Sequence, residues 1–171
     1  MHEYIEEMRK NQKDILLAEA FKESQMGRSI HFSNREGKNI DASLYKKETI
    51  RAIKRLRELV ESEEIKNSDI RNEIKAIHEK TGVSVGQAQK VINIYLKGYC
   101  LLFGKNEEII KELDCPLDSK TLKGYSSKAL WKIEDMGEYE SIQKKFWDET
   151  KGIRLLKDKI WDEYRLKELY K

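Results

Sequence analysis

The chain has 171 residues, which suits one domain with a substantial core, because a chain of this length hides roughly 70% of its unfolded surface on folding. One proline, nine glycines and 38% charged residues are typical of a mostly helical protein. No apolar run reaches the roughly 18 residues of a membrane span, and the first ten residues are too charged for a signal peptide. We therefore expect a cytoplasmic protein with no membrane contact.

The overall pattern predicts an all-α fold: a single compact domain of about seven or eight helices. A formal net charge of +3 says little about partners unless the 34 basic residues gather on one face. The two cysteines, Cys100 and Cys115, show no metal-ligand spacing, and the three histidines lie far apart. We expect free, buried thiols, no metal and no cofactor.

The N-terminal part begins with a predicted helix over 2–24, where apolar residues recur every three or four positions. Residues 25–42 lose this period and contain two glycines with several Ser and Asn residues, which predicts a long loop, functional or mobile. Phe32 is expected to anchor that loop.

Asp41 or Ser43 is placed to cap the next predicted helix, which runs to about Glu64. One face of this helix is basic, with Lys46, Lys47, Arg51, Lys54, Arg55 and Arg57. Two interpretations stay open: an ordinary solvated surface, or a strip that contacts DNA phosphates. The interspersed acidic residues Glu48, Glu58 and Glu61 weaken the second one.

Residues 82–124 are the stretch around which the rest is arranged. Gly82 ends a helix, and a long helix with a wide apolar stripe runs from about Ser84 to Phe103, which places it in the middle of the domain. A short helix over 106–113 and the only proline, Pro116, follow. Asp118 then stands at the predicted start of another short helix, where its ordinary role is an N-cap.

Two amphipathic helices are predicted after a break at Gly137, the second over 153–170. The three tryptophans, Trp131, Trp147 and Trp161, are expected to pack between helices. The chain contains no phosphate-cradling loop, dinucleotide-binding motif or Ser/His/Asp elbow, which leaves 82–124 as the candidate site.

One interpretation of this unit is a DNA-reading helix-turn-helix, with Gly82 in the turn and Val91 buried in the second helix. Two features depart from that pattern. His78 stands where a small residue is usual, and the second helix is long and apolar for one that lies in a groove.

The order of features resembles the helix-hairpin-helix DNA glycosylase superfamily, most closely its archaeal 8-oxoguanine branch. The matching residues are the glycine hairpin over 82–90, the helix through Gly104, and the run Pro116, Leu117, Asp118 and Ser119. The resemblance implies that a base is flipped out of the duplex. Asp118 would then stabilise the oxocarbenium-like cation and position or deprotonate the attacking water or amine.

The resemblance also implies a set of binding residues. Backbone N–H groups of Val83, Ser84 and Gly86 would hold a phosphate. Side chains that would read the edge of the base or stack on it are Gln87, Gln89, Asn93, Tyr95, Tyr99 and Trp131. Further DNA contacts are expected from Lys46, Lys47, Arg51, Lys54, Arg55, Lys120 and Lys123.

Bifunctional members carry a lysine at the start of the long helix that forms a Schiff base with the sugar. Here Gln87 or Ala88 occupies that position, so the chain is expected to be monofunctional and to use water. Lys90, a turn further in, is a candidate nucleophile only if the alignment shifts by two or three residues.

We therefore expect a monomeric enzyme on double-stranded DNA that excises an oxidised base, or a hypermodified base in phage DNA. Two alternatives remain. A non-catalytic helix-turn-helix protein would bind DNA through exposed residues of 84–93 and the basic helix. A helical protein-interaction module would not bind nucleic acid at all.

Overall fold

A computed structural model describes residues 2–159. Those residues form seven α-helices and two short 3₁₀ helices with no strand, so the all-α prediction is confirmed. The α-helices are α1 (His2–Ser24), α2 (Met26–Arg35), α3 (Ala42–Glu61), α4 (Asn67–Thr81), α5 (Val85–Leu102), α6 (Glu107–Glu112) and α7 (Met136–Thr150). The 3₁₀ helices span Leu130–Lys132 and Arg154–Asp158.

Helix α5 lies at the centre of the fold. It packs against α1, α3 and α4 and also contacts α2, α6, α7 and the first 3₁₀ helix. Its predicted apolar stripe is buried along most of its length, at Val85, Ala88, Val91, Ile92, Tyr95, Leu96 and Tyr99. Full burial of each valine, isoleucine or leucine in this stripe stabilises the fold by about 1.5–3 kcal/mol. The stripe ends a turn early, because Leu102 is 73% exposed.

Local caps fix the bounds of the helices around α5. The Asp41 carboxylate accepts hydrogen bonds from two backbone N–H groups of the first turn of α3. Gly82 ends α4 with a φ of 72°, a left-handed conformation that costs glycine little. Ser84 and Gln87 form a reciprocal capping box at the start of α5.

The prediction of a loop over 25–42 is wrong for its first half, because α2 is a helix. Its buried residues Met26, Ile30 and Ser33 recur at helical spacing and pack toward α5. Gln25 adopts a left-handed φ of 51° and separates α2 from α1, so the two helices do not form one continuous rod.

Two further predictions after Asp118 are corrected. Residues 119–125 form consecutive turns rather than a helix. Gly137 does not lie in a break between helices, because Asp135 caps α7 and Gly137 lies in the first turn of that helix. The last predicted helix begins as the 3₁₀ helix Arg154–Asp158, and its part from residue 160 onward, with Trp161, lies outside the described residues.

Candidate functional site

The segment 114–118 has no regular secondary structure, yet it is buried throughout. Two buried glutamines hold its backbone. Gln89 on α5 accepts a hydrogen bond from Leu117 N (3.1 Å) and donates one to Leu117 O (3.1 Å). Gln143 on α7 does the same with Cys115 N (3.0 Å) and O (2.8 Å). The two amides thus satisfy the backbone as a neighbouring strand would.

Asp118 follows directly after this clamped segment. Its Oδ1 accepts hydrogen bonds from the backbone N–H groups of Lys120 (2.7 Å) and Thr121 (3.0 Å), and Thr121 Oγ1 accepts one from Asp118 N (2.9 Å). The predicted capping role is therefore present, although the carboxylate caps a turn. Among the described residues, no hydrogen bond reaches Asp118 Oδ2. The side chain lines two cavities.

Lys90 lines the same two cavities as Asp118. Burial lowers the pKa of its amine below the ordinary value of 10.5, and the charge of Asp118 opposes that shift. Within residues 2–159, Lys90 has no hydrogen bond and no ion pair within 4 Å. A carboxylate and a partly desolvated amine therefore line the same cavities and interact electrostatically.

The two cavities differ in shape. The first, of about 240 Å³, lies between α1 and α5 and has apolar walls from Leu16, Ala20, Ile94 and Pro116, with the Lys97–Asp158 ion pair at one side. The second is an open groove of about 720 Å³ between α2 and the segment 119–131. Lys90 and Asp118 line both cavities, so each is within reach of a ligand that binds at the junction of the two.

Aromatic and basic side chains line the open groove. Phe32 on α2 is 42% exposed, and the Arg28 guanidinium lies 5.6 Å from its ring centroid. Trp131, across the groove, is half-buried. Exposed aromatic rings beside cations suit the stacking of nucleobases and the binding of a phosphate backbone. Phe32, predicted to anchor a loop, lies instead on a helix, and Arg28 was not predicted as a site residue. Their four-residue spacing places both on one face of α2.

The hairpin between α4 and α5 offers no phosphate site. Val83, Ser84 and Gly86 are buried. The N–H of Ser84 donates to Gln87 Oε1 (2.9 Å), and the N–H of Gly86 donates to Ile133 O (3.0 Å). The predicted phosphate contact through this hairpin is therefore corrected: these donors already have partners inside the protein.

The amides predicted to read a base are structural. Gln87 Nε2 donates to the hydroxyls of Ser29 (2.9 Å) and Ser33 (2.7 Å), which ties α2 to α5. Asn93 Nδ2 donates to Gln89 Oε1 (2.8 Å) and to Tyr139 OH (2.9 Å). Gln87, Gln89 and Asn93 are all buried and line neither cavity, so the base-reading prediction is corrected for each.

Tyr95 and Tyr99 lie on the opposite side of α5. Their rings stack at 5.8 Å between centroids, and Tyr99 OH donates to Glu61 Oε1 (2.7 Å). Neither ring lines the groove, which corrects the prediction that they stack on a base. Of the predicted stacking residues, only Trp131 is placed to do so.

The basic face of α3 is partly neutralised. Arg51 and Arg55 reach the buried Glu73 at 2.9 and 2.7 Å. Lys46, Lys47 and Lys54 are exposed but line neither cavity. Near Asp118, Lys123 is exposed and lines the groove, while Lys120 is half-buried. The cations at the groove are therefore not those of the predicted strip.

A second carboxylate, Asp114, is bound on all sides. Its oxygens accept hydrogen bonds from Asn67 Nδ2 (2.8 Å), Tyr139 OH (2.9 Å) and Arg71 Nε (3.2 Å), and Arg154 Nε lies 3.4 Å away. Burial, together with the Asp114 charge, raises the pKa of Tyr139, which keeps its hydroxyl a donor. Asp114 joins α4, α7 and the second 3₁₀ helix.

Within residues 2–159, no group of three or more His, Cys, Asp or Glu side chains is arranged to hold a metal ion. No helix there combines the length and apolar character needed to cross a membrane. No protein family, curated protein or solved structure matches the chain.

Proposed function

We propose that this protein is a DNA N-glycosylase in which Asp118 and Lys90 act together on the sugar of a flipped nucleotide. One observation carries the proposal: an ionisable carboxylate and an amine with a lowered pKa share two adjoining cavities, and Lys90 has no close partner among the described residues. Perturbed ionisable groups in a cleft are typical of active sites.

Each group has a defined task. The bond between C1′ and the base nitrogen breaks with its electron pair going to the base, which takes up a proton, and positive charge develops on the sugar. Asp118 stabilises that charge. Backbone N–H groups orient its Oδ1, and its Oδ2 accepts no hydrogen bond from the described residues. The neutral Lys90 amine attacks C1′ and loses a proton, and a protonated Schiff base forms as the C1′–O4′ bond breaks and O4′ takes up a proton. Loss of a C2′ proton from this Schiff base then expels the 3′ phosphate, which breaks the strand without alkali.

This assignment differs from the expected water-dependent reaction. Gln87, one of the two residues in the position of the family's lysine, is buried and hydrogen-bonded to α2, and Ala88 has no nucleophilic atom. Lys90 is the residue of this turn that faces the cavities. The placement supports Lys90 as the nucleophile and a combined glycosylase and lyase activity.

The open groove is proposed to hold the DNA strand. Phe32 and Trp131 supply rings for stacking, and Arg28 and Lys123 supply charge for phosphates. The helix-turn-helix alternative needs an exposed face on residues 84–93. Of these residues only Lys90 is partly exposed, and the others are buried. The burial of α5 speaks against its insertion into a DNA groove.

The test is incubation of the purified protein with duplexes that carry one oxidised, deaminated or alkylated base, and with glucosylated phage DNA. Strand breaks are measured with and without alkali, and Schiff bases are trapped with borohydride. We expect breaks without alkali and a trapped complex. Lys90→Gln should abolish trapping, and Asp118→Asn should slow base release by about 10²–10³-fold. Lys54→Gln, outside both cavities, serves as the control.

Two results would overturn the proposal. Strand breaks that persist in both Lys90→Gln and Asp118→Asn would assign them to another site or a contaminant. No breaks on any substrate would remove the enzyme assignment. In that case, retained duplex binding would favour a non-catalytic DNA-binding protein, and no binding would favour a helical interaction module.

A further inference from the structure

We propose that Gln89 is a positioning residue that fixes Asp118 relative to Lys90; the catalytic meaning of this inference rests on the proposed function. Gln89 and Lys90 are neighbours on α5, about 100° apart around the helix. Gln89 points toward the acid-bearing segment, and Lys90 points into the cavities.

The contacts of Gln89 tie the acid to the helix that carries the amine. Its Oε1 accepts from Leu117 N, and its Nε2 donates to Leu117 O and to Gly86 O (3.0 Å). Leu117 is bonded directly to Asp118. The position of the carboxylate is therefore set by the same turn of α5 that presents Lys90.

Gln143 provides a matched comparison. It is also buried and makes the same pair of hydrogen bonds, but to Cys115, three residues before Asp118, and it belongs to α7. Loss of either amide leaves a buried backbone N–H and C=O unsatisfied, which costs about 1–3 kcal/mol per group. Only the loss of Gln89 releases the peptide beside the acid.

This difference matters because catalytic groups act only in accurate geometry. A displacement of about 1 Å at the reacting groups lowers a rate by about 100-fold. A purely structural glutamine would change stability alone. A positioning glutamine changes the rate of the chemical step and the electrostatic contact between Asp118 and Lys90.

The experiment compares Gln89→Met with Gln143→Met, each close in volume to glutamine. Single-turnover base release and duplex affinity are measured on a duplex that carries a base excised by the wild type. In parallel, the Lys90 pKa is measured by NMR on protein with ¹³C-labelled lysine, where Lys90→Gln identifies the Lys90 signal. The titration needs no DNA, so it tests the positioning role even if no base is excised.

For Gln89→Met we expect single-turnover release to fall by about 10–100-fold with duplex affinity within about three-fold of the wild type. The Lys90 pKa should fall by about 0.5 or more, because Asp118 moves away from the amine. Gln143→Met should leave the rate within about three-fold and the Lys90 pKa unchanged. Gln89→Asn, which keeps an amide on a shorter chain, replaces Gln89→Met if that variant does not fold.

Equal changes in the two variants, or an unaltered Lys90 pKa and rate in Gln89→Met, would overturn the positioning role. A wild type that excises no base, combined with a lower Lys90 pKa in Gln89→Met alone, would refute the glycosylase and support the positioning role. The two failures are therefore distinguishable.

Discussion

Asp114 and Asp118 lie four residues apart in one buried segment, yet their surroundings differ. Asp114 receives two arginines, a tyrosine hydroxyl and an asparagine amide. Asp118 receives backbone N–H groups on one oxygen only, and the residue lines two cavities. A carboxylate saturated by its own protein stabilises the fold, whereas one with spare capacity is available for a ligand.

Measurements of folding stability are the strongest test of the difference between Asp114 and Asp118. Asp114→Asn leaves Arg71 and Arg154 without a charged partner in a buried setting, which should cost about 3–5 kcal/mol. Asp118→Asn should cost under about 1 kcal/mol, because asparagine caps nearly as well as aspartate. Urea unfolding at neutral pH measures the free energy of unfolding of both variants. Its slope against urea concentration should be the same in each variant and in the wild type. Similar losses in the two variants would remove the distinction.

Two lysines on α5 extend the comparison to cations. Lys97 forms an ion pair with the buried Asp158 at 2.6 Å, and its replacement by Met should cost up to about 3 kcal/mol. Burial is the main cause of the lowered pKa of Lys90, so the charged form of this lysine destabilises the fold. Lys90→Met should therefore raise the melting temperature at pH 7.

The pH dependence gives the sign of the Lys90 effect. A lysine whose folded pKa is depressed destabilises fully below that pKa, and the penalty disappears as the pH rises toward the unfolded value near 10.5. The stability advantage of Lys90→Met should thus shrink between pH 7 and pH 10.5. A constant advantage across this range would show that lost packing, rather than charge, is responsible. Melting temperatures measured by calorimetry at several pH values decide this.

The next test concerns the hairpin between α4 and α5, whose backbone donors already have partners inside the protein. A Cβ on Gly86 would lie 2.0 Å from Leu130 O, a backbone atom that cannot yield without moving the segment bearing Trp131. Gly86→Ala should cost about 1–3 kcal/mol and change the fluorescence of Trp131. The signal is isolated in a background where Trp147 and Trp161 are Phe. An unchanged emission would show that the 3₁₀ helix is not held by this contact.

The smallest expected effect concerns DNA affinity. Lys123→Ala, at the groove, should reduce the slope of log affinity against log salt by about 0.9, the change for one phosphate contact. Lys54→Ala, on exposed α3, should leave the slope unchanged. Fluorescence anisotropy with a labelled duplex measures both. The reverse result would restore the basic strip of α3 as the DNA-contacting face.

Local signals made much of the fold predictable. The bounds of α3, α4 and α5 follow from Asp41, Gly82 and Ser84, which act within one turn of their own position. The central place of α5 follows from its wide apolar stripe. Asp118 was predicted both as a cap and as the acid of the candidate site; its capping is observed, and its catalytic role stays a prediction.

Long-range contacts explain what was not predictable. Helix α2 buries only three residues, and its serines meet Gln87, a partner more than fifty positions away. The direction of Lys90 depends on how α5 is rotated against the acid segment. Gln87 and Lys90 differ by less than one helical turn, and only tertiary packing decides which of them faces the cavities.

The glutamine clamps on residues 115 and 117 have a consequence for dynamics. Amide hydrogens in irregular segments usually exchange quickly with solvent, because local opening there costs little. The N–H groups of Cys115 and Leu117 are instead bonded to side chains anchored on α7 and α5, with no exposed surface at either residue. Their exchange should require the separation of whole helices, and so proceed as slowly as exchange from the centre of α5. We therefore expect the acid-bearing segment to exchange its amide hydrogens as a rigid part of the core does.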